Sequence, residues 1–363
     1  MQVPASARIL GFDLARALAI VGMVIVNFKT VMHSSHEGTE GGWRLFNLVD
    51  GRASALFVML AGIGLSLLVR STQLGADPAV FAQRRQQLLR RALCLFVLGL
   101  CYLPIWPADI LHYYGVYIAL GTLLLGWSSA ALLTMAALLV AGFAGLFLTL
   151  RYDTAWNWQT LGYADLWTAE GFVRNLFYNG FHPVLPWAAF LLAGIVVGRL
   201  ELQTTAARRR LLLLGLAGSL LAEGLAVLLR PLSGGLWAAT QPMPPLPLYM
   251  LAAGSSACVI IAACLAITER YRNAAWLQPL VHTGQLALTL YVAHVVVGMG
   301  VLDAIGLLER QPLSFAVGSA LLFCVTAVFF AHLWRLRFKL GPLEWLLRWL
   351  SEPAAVPRLK PRG

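Results

Sequence analysis

The chain has 363 residues, of which 59% are hydrophobic and only 12% charged, against about 45–50% apolar and about 25% charged in ordinary soluble domains. No soluble core of this length hides so many apolar side chains, which excludes a soluble enzyme, a disordered regulator and a disulfide scaffold. The net charge of +11 comes from arginines set between apolar runs rather than along one face, so it reads as a topology signal and not as a nucleic-acid partner.

A bilayer-crossing helix needs about 20 mostly apolar residues. Runs that qualify lie near 11–31, 53–70, 88–105, 110–126, 129–150, 183–200, 211–229, 248–268, 284–303 and 313–334. The expected fold is therefore all-α. It is a polytopic bundle of about ten transmembrane helices over residues 1–338, with a cytoplasmic amphipathic helix and basic tail over 339–363. With the N-terminus inside, 20 of the 27 Lys and Arg residues fall on the cytoplasmic side. That asymmetry supports both the even count and cytoplasmic termini. The first run has the length of a signal-peptide core, but Asp13 leads it and no small-x-small site follows, so it is read as an uncleaved helix.

Polar groups inside such runs are costly and mark function by default. Asp13 and Arg16, three apart, share a face of the first helix; they neutralise each other, or Arg16 reaches an anionic ligand from the cytoplasm. Asn27 and Lys29 lie near the outer end, and His33 and His36 follow in the first outside loop. Asp50 and Arg52 open the second run, with Asp50 as a cap candidate. Asp109 and His112 open the fourth, one helical turn apart. A carboxylate that orients an imidazole is a recurrent catalytic pairing.

The second long outside loop, 151–182, carries Trp156, Trp158 and Trp167, which suit a membrane interface. His182 precedes Pro183 at the mouth of the sixth run. Glu223 is placed mid-span in the seventh, and His294, with Tyr291 before it, mid-span in the ninth. Each is either functional or a satisfied interhelical hydrogen bond. His282 and His332 sit at inner ends. Gly62 and Gly64, Gly142 and Gly145, and Gly194 with Gly198 form small-residue pairs that let helices approach. They serve packing within the chain first and leave room for a homo-oligomer. The tail segment KLGPLEWLLRWL (339–350) puts Leu343, Leu346, Leu347 and Leu350 on one face, as in a helix lying on an anionic leaflet. The five cysteines fall inside apolar runs with no ligand spacing, so no metal is expected.

Several segments carry a family pattern: RILGFDLARALAIVGMVIVNF (8–28), DGRASALFVMLAGIGLSLL (50–68), DILHYYGVYIALG (109–121), FHPVLPWAAFLLAGIVVGRL (181–200), GQLALTLYVAHVVVG (284–298) and GPLEWLLRW (341–349). In this order the chain resembles the YeiB-like bacterial membrane proteins of the domain-of-unknown-function 418 family. That family is in turn similar to transmembrane acyltransferases, including the heparan-α-glucosaminide N-acetyltransferase group. The resemblance implies a bundle in the bacterial inner membrane that passes an acyl group from cytoplasmic acyl-CoA (acetyl-CoA) to an acceptor on the far side. The acceptor would be a sugar or another hydroxyl or amine. It also implies a key histidine in the first non-cytoplasmic loop. His36 or His33 is the counterpart here, though the spacing to Trp43 departs from the acetyltransferase pattern.

On this reading His36, His33, Asp50, Arg52, Asp109 and His112 are the catalytic candidates. His182, His294, Tyr291, Glu223, Arg16, Arg84 and Arg85 are the candidates for binding, the arginines drawing in the CoA phosphates. The partners expected are membrane lipids and a small-molecule acceptor. The competing readings are a proton-coupled transporter or flippase, with Glu223 and His294 as a relay, and a non-catalytic assembly factor.

Overall fold

The computed structural model describes residues 8–32, 49–70, 78–231 and 235–352. His33, His36 and Trp43 lie outside the described residues. Within them every expected apolar run is helical, and the polypeptide is a multi-pass membrane protein. Helices dominate because a chain crossing lipid must satisfy its own backbone groups.

The elements in order are α1 (Leu10–Val31), α2 (Arg52–Arg70), α3 (Pro78–Tyr102), α4 (Leu111–Leu124), α5 (Ser129–Thr149), the strands β1 (Trp156–Asn157) and β2 (Gly162–Tyr163), and α6 (Ala169–Arg174). There follow α7 (Val184–Gly198), α8 (Thr205–Leu229), α9 (Pro247–Arg270), α10 (Leu277–Gln285), α11 (Ala287–Ala293), α12 (Gly300–Ala304), α13 (Leu313–Arg337) and α14 (Pro342–Ser351). Helix starts carry ordinary signals. Ser128, Thr168 and Thr204 cap α5, α6 and α8 through their side-chain oxygens, and Pro opens α9 and α14.

Seven described helices are long and apolar enough to cross a membrane, or eight if the bent pair Ala169–Asn179 and Val184–Gly198 is one span. The other runs depart from the expected spans for definite reasons. Helix α3 begins at Pro78, ten residues before the expected run, so Arg84 and Arg85 ride on its first turns and not on a loop, with Arg90 and Arg91 further along the same helix. Helix α4 has 14 residues, about 21 Å at 1.5 Å per residue, too short for the roughly 30 Å hydrocarbon core. The sixth run is bent by 48° from the segment before it, with Leu185 non-helical inside α7. The ninth run supplies Ala287–Ala304, one of the seven, but not as one regular helix over 284–303. It breaks at Leu286 and passes through a π-helical turn at His294–Met299.

Helix α1 is the axis of the bundle and packs against α2, α9, α10 and α13. Its face from Phe12 to Phe28 is almost wholly buried. Helices α2 and α7 form the other tight pair. A Cβ on Gly194 would come 2.2 Å from the Met59 carbonyl oxygen, so only glycine permits this backbone contact. Gly142 and Gly145 have nothing near them and face outwards on α5. That helix and α8 present their Leu side chains to the surroundings. Residues 151–182 fold over one end of the bundle. Strands β1 and β2 pair antiparallel, Trp156 opposite Tyr163, and a π-helical turn spans Asn175–Asn179.

Candidate active site

One buried polar network runs across the end of the bundle that carries Asp50. Asp109 and His112 are buried, at 0% and 1% exposure. His112 Nδ1 lies 3.0 Å from Asp109 Oδ2, and the His112 backbone N–H donates to the same oxygen at 3.1 Å. A carboxylate only accepts, so in the neutral imidazole it is Nδ1 that carries the proton and Nε2 that keeps the lone pair. Tyr291 donates its hydroxyl to Asp109 Oδ1 at 3.2 Å and accepts from the Ile110 N–H at 3.1 Å. Tyr102 of α3 packs 6.2 Å from the Tyr291 ring. Helix α3 comes this close to α4 because Gly99 has no side chain: a Cβ there would meet the His112 nitrogen at 2.2 Å.

The network continues into α1. The rings of Tyr291 and His294 lie 5.3 Å apart. His294 is fully buried. Its Nδ1 donates to the Tyr291 carbonyl, and its Nε2 accepts from Asn27 Nδ2 at 2.9 Å. Both ring nitrogens are thus committed, and His294 joins α1 to the π-helical turn as an interhelical hydrogen bond. Of the two imidazoles, His112 is the one with a basic nitrogen that no described hydrogen bond uses.

On the other side of His112 stands Tyr113, its ring 3.8 Å away. The His182 ring lies 6.1 Å from Tyr113 and 4.6 Å from Trp187, and His182 Nδ1 is buried with no hydrogen-bond partner among the described residues. Tyr113 donates to Asn175 Oδ1 at 2.6 Å. Asn175 lines a pocket of about 100 Å³ under the 151–182 segment, with Trp156, Tyr163, Leu103 and Pro107 also on its wall. That segment is braced by Asn179, which donates to the Tyr152 and Thr154 carbonyls, and by Arg174 bonded to Asp165, Glu170 and Tyr163. The Asp165 carboxylate beside it pushes the Arg174 guanidinium above its ordinary range.

The remaining expected site residues have other partners. Asp50 accepts from the buried Lys29 ammonium at 3.0 Å and 3.3 Å, while the first N–H groups of α2 go to the Val49 carbonyl. Burial, only partly offset by Lys29, holds the Asp50 carboxyl above the usual range. Asp50 is thus an ion-pair partner and not the cap of α2. Glu223 lies towards the end of its helix. Helix α8 starts at Thr205, which places Glu223 in its last two turns, bonded to Arg52 at 2.5 Å and to Thr240 at 3.2 Å. Nothing described joins it to His294, so the proposed proton relay has no connection here. Arg16 lies 2.8 Å from Asp13, which also takes Arg8 and Gln285. Asp13 is about 14 residues, or roughly 21 Å, along α1 from Asn27. Arg84 donates to Gln87 on its own helix, and Arg85 is half-buried beside it.

Tyr113 and Asn175 complete the site although the sequence reading gave them no role, and Asn27, noted there only as a polar residue near the outer end of the first helix, joins it through His294. Only the spacing of DILHYYG, with its two tyrosines beside the Asp–His pair, hinted at Tyr113.

Two family models match the chain. One, described as heparan-alpha-glucosaminide N-acetyltransferase, catalytic, matches residues 8–230, more than half of the chain. The chain belongs to this family. The second, described as a protein of unknown function (DUF418), matches residues 197–353. Asp109, His112 and His182 fall in the first match, Tyr291 and His294 in the second, so the network is built from both. No curated protein matches the chain.

Proposed function

We propose that the protein is a membrane acyltransferase of the bacterial inner membrane. It takes an acyl group from cytoplasmic acyl-CoA, acetyl-CoA in the simplest case, and passes it to a sugar or another hydroxyl or amine acceptor at the non-cytoplasmic side. The observation that carries this reading is the buried Asp109–His112 pair with Tyr291 on its second oxygen, set in a chain of acetyltransferase family. The ten-span topology with both termini cytoplasmic completes it. The arginine-bearing helix α3 and the short helix α4 then count as spans, and the charge distribution supports them.

The chemistry follows from the tautomer. Asp109 holds the Nδ1 proton and so presents Nε2 as the base. Nε2 takes the proton of the acceptor hydroxyl or amine as that oxygen or nitrogen attacks the thioester carbonyl carbon. The carbon–sulfur bond breaks as the new bond completes, and the imidazolium returns its proton to the leaving thiolate. Asp109 stabilises the imidazolium formed in between. His182, with an unpartnered nitrogen across Tyr113, stands on the acceptor side. The arginines of the first turns of α3 and Arg16 face the donor side and attract its phosphates. The geometry favours His112 over a first-loop histidine assisted by Asp50, because Lys29 already takes both Asp50 oxygens.

The test is release of CoA thiol from acetyl-CoA by reconstituted protein with a panel of sugars and amines. His112→Ala should lower the rate by at least about 100-fold, the smaller end of what general-base catalysis contributes, whereas transfer at the wild-type rate in His112→Ala removes the assignment.

A further inference from the structure

Helix α11, which carries Tyr291, starts inside the bundle. Helix α10 ends at Gln285, Leu286 leaves helical geometry at φ −106° and ψ 26°, and α11 begins at Ala287. A new helix start exposes backbone N–H groups that need partners, and Ala287 and Thr289 at this start are buried. The partner here is a side chain from the other end of the chain. Glu344 Oε1 accepts from the Leu288 N–H at 2.7 Å and the Thr289 N–H at 3.1 Å, and Glu344 Oε2 accepts from the Thr289 hydroxyl at 2.6 Å. In return the Thr289 hydroxyl oxygen accepts from the Leu343 N–H at 3.1 Å.

Thr289 and Glu344 each occupy the third position of their own helix, and each caps the start of the other. A capping box exchanges such bonds within one helix. Here the exchange ties two helices whose capping residues are 55 positions apart. Gly341 makes the approach possible, since a Cβ there would meet Glu344 Oε2 at 2.1 Å and Thr289 Oγ1 at 2.9 Å. Trp334 donates to the Leu340 carbonyl at 2.8 Å and fixes the turn before it. Leu347 and Ser351 are buried, and α14 packs on α3 as well as α11. The amphipathic helix expected to lie on the leaflet thus docks on the protein.

We propose that Glu344 is a positioning residue for the site, and that α14 acts through it as a clasp on the broken helix that carries Tyr291 and His294. Thr289 is two residues from Tyr291. The Tyr291 hydroxyl is held by bonds of 3.1 Å and 3.2 Å, so a slip of about 0.5 Å along either one takes it beyond hydrogen-bond range. Stability alone is a poor reason for the carboxylate. Burial outweighs its hydrogen bonds and pushes the Glu344 carboxyl above the usual range, and a buried charge is commonly matched or bettered by an apolar replacement.

The test reads Tyr291 directly, with 3-fluorotyrosine placed at position 291 and observed by fluorine NMR in detergent. Glu344→Ala should shift or broaden that resonance, Gly341→Val should do the same without removing any polar group, and Glu344→Gln, which keeps an accepting oxygen, should restore most of it. Leu350→Ala, on an exposed part of the same helix, should leave it in place. An unmoved resonance in folded Glu344→Ala, or an equal shift in Leu350→Ala, overturns the proposal. Should Glu344→Ala fail to fold, Gly341→Ala applies the same displacement more gently and is read the same way. The kinetic arm rests on the acyltransferase reading: kcat in Glu344→Ala should fall several-fold at unchanged KM and recover most of the way in Glu344→Gln, with Leu350→Ala unaffected. Absence of transfer by the wild type would refute that reading while leaving the fluorine result to decide the clasp.

Discussion

Replacing Asp109 by Asn is the sharpest lesion of the network, because it keeps shape and removes only charge and one acceptor. The wild-type carboxylate takes three donors, the Nδ1 and backbone N–H of His112 on one oxygen and the Tyr291 hydroxyl on the other. Asn has a single accepting oxygen. With that oxygen turned to His112, its NH2 group faces the Tyr291 hydroxyl, which already accepts from the Ile110 N–H and is left with a proton and no acceptor. An unsatisfied buried donor costs about 1–3 kcal/mol, so the melting temperature of Asp109→Asn should drop by a few degrees with the fold intact. The effect on rate is larger. The imidazolium formed during transfer loses its counter-charge in a site at 0% exposure, and general-base catalysis is worth about 10²–10⁴ in rate. At about 1.4 kcal/mol per decade that range is roughly 2.7–5.5 kcal/mol of barrier. The assay is CoA thiol release at saturating acetyl-CoA, with the melting curve recorded on the same sample. A folded Asp109→Asn protein with a rate within two-fold of wild type would refute the assignment of Asp109 and His112 as a working pair.

Other consequences are equally direct. His294 and Asn27 share one hydrogen bond, so His294→Ala and Asn27→Ala should each cost about 1–3 kcal/mol, and the double variant should cost less than their sum by about 1 kcal/mol, read from a double-mutant cycle; strict additivity would contradict the contact. Gly194→Val places side-chain atoms against the Met59 carbonyl, so it should abolish a monodisperse peak in size-exclusion chromatography, and normal elution would contradict the close packing of α2 on α7. The raised carboxyl of Glu344 takes up a proton in the folded chain at higher pH than in the unfolded chain. Its ionised form therefore costs stability above the raised value, and that cost fades as the pH falls towards the ordinary one. The melting temperature of wild type relative to Glu344→Gln should accordingly rise as the pH is lowered from neutrality towards the ordinary carboxylate range, and a gap independent of pH would contradict the burial of the charge.

The legible part of the fold was its apolar runs, each of which is helical, because a lipid-crossing chain must write its helices as hydrophobic length. Where helices break, the sequence was silent. LTLYVAHVVVG is uniformly apolar around His294, and nothing in it marks a new helix start at Ala287, since the signal for that start is Glu344, more than fifty residues later. The start of α3 at Pro78 was hidden for a different reason: the polar segment around Arg84 and Arg85 before the apolar run made the first turns of the helix read as a loop. The Asp109–His112 pair was visible because its partners are one turn apart. Its link to Tyr291, 182 positions away, belongs to tertiary packing alone. The partner of Glu223 could not be read either, because Arg52 is 171 positions away and meets it only through tertiary packing.

Thermal unfolding of the detergent-purified protein with acetyl-CoA, with CoA and with ATP bears most directly on the acyltransferase account. A ligand held only by the folded state adds about 2.7 kcal/mol at 100 times its dissociation constant. The account predicts that acetyl-CoA and CoA raise the melting temperature while ATP does not; an unchanged melting temperature at millimolar acetyl-CoA and CoA would contradict it.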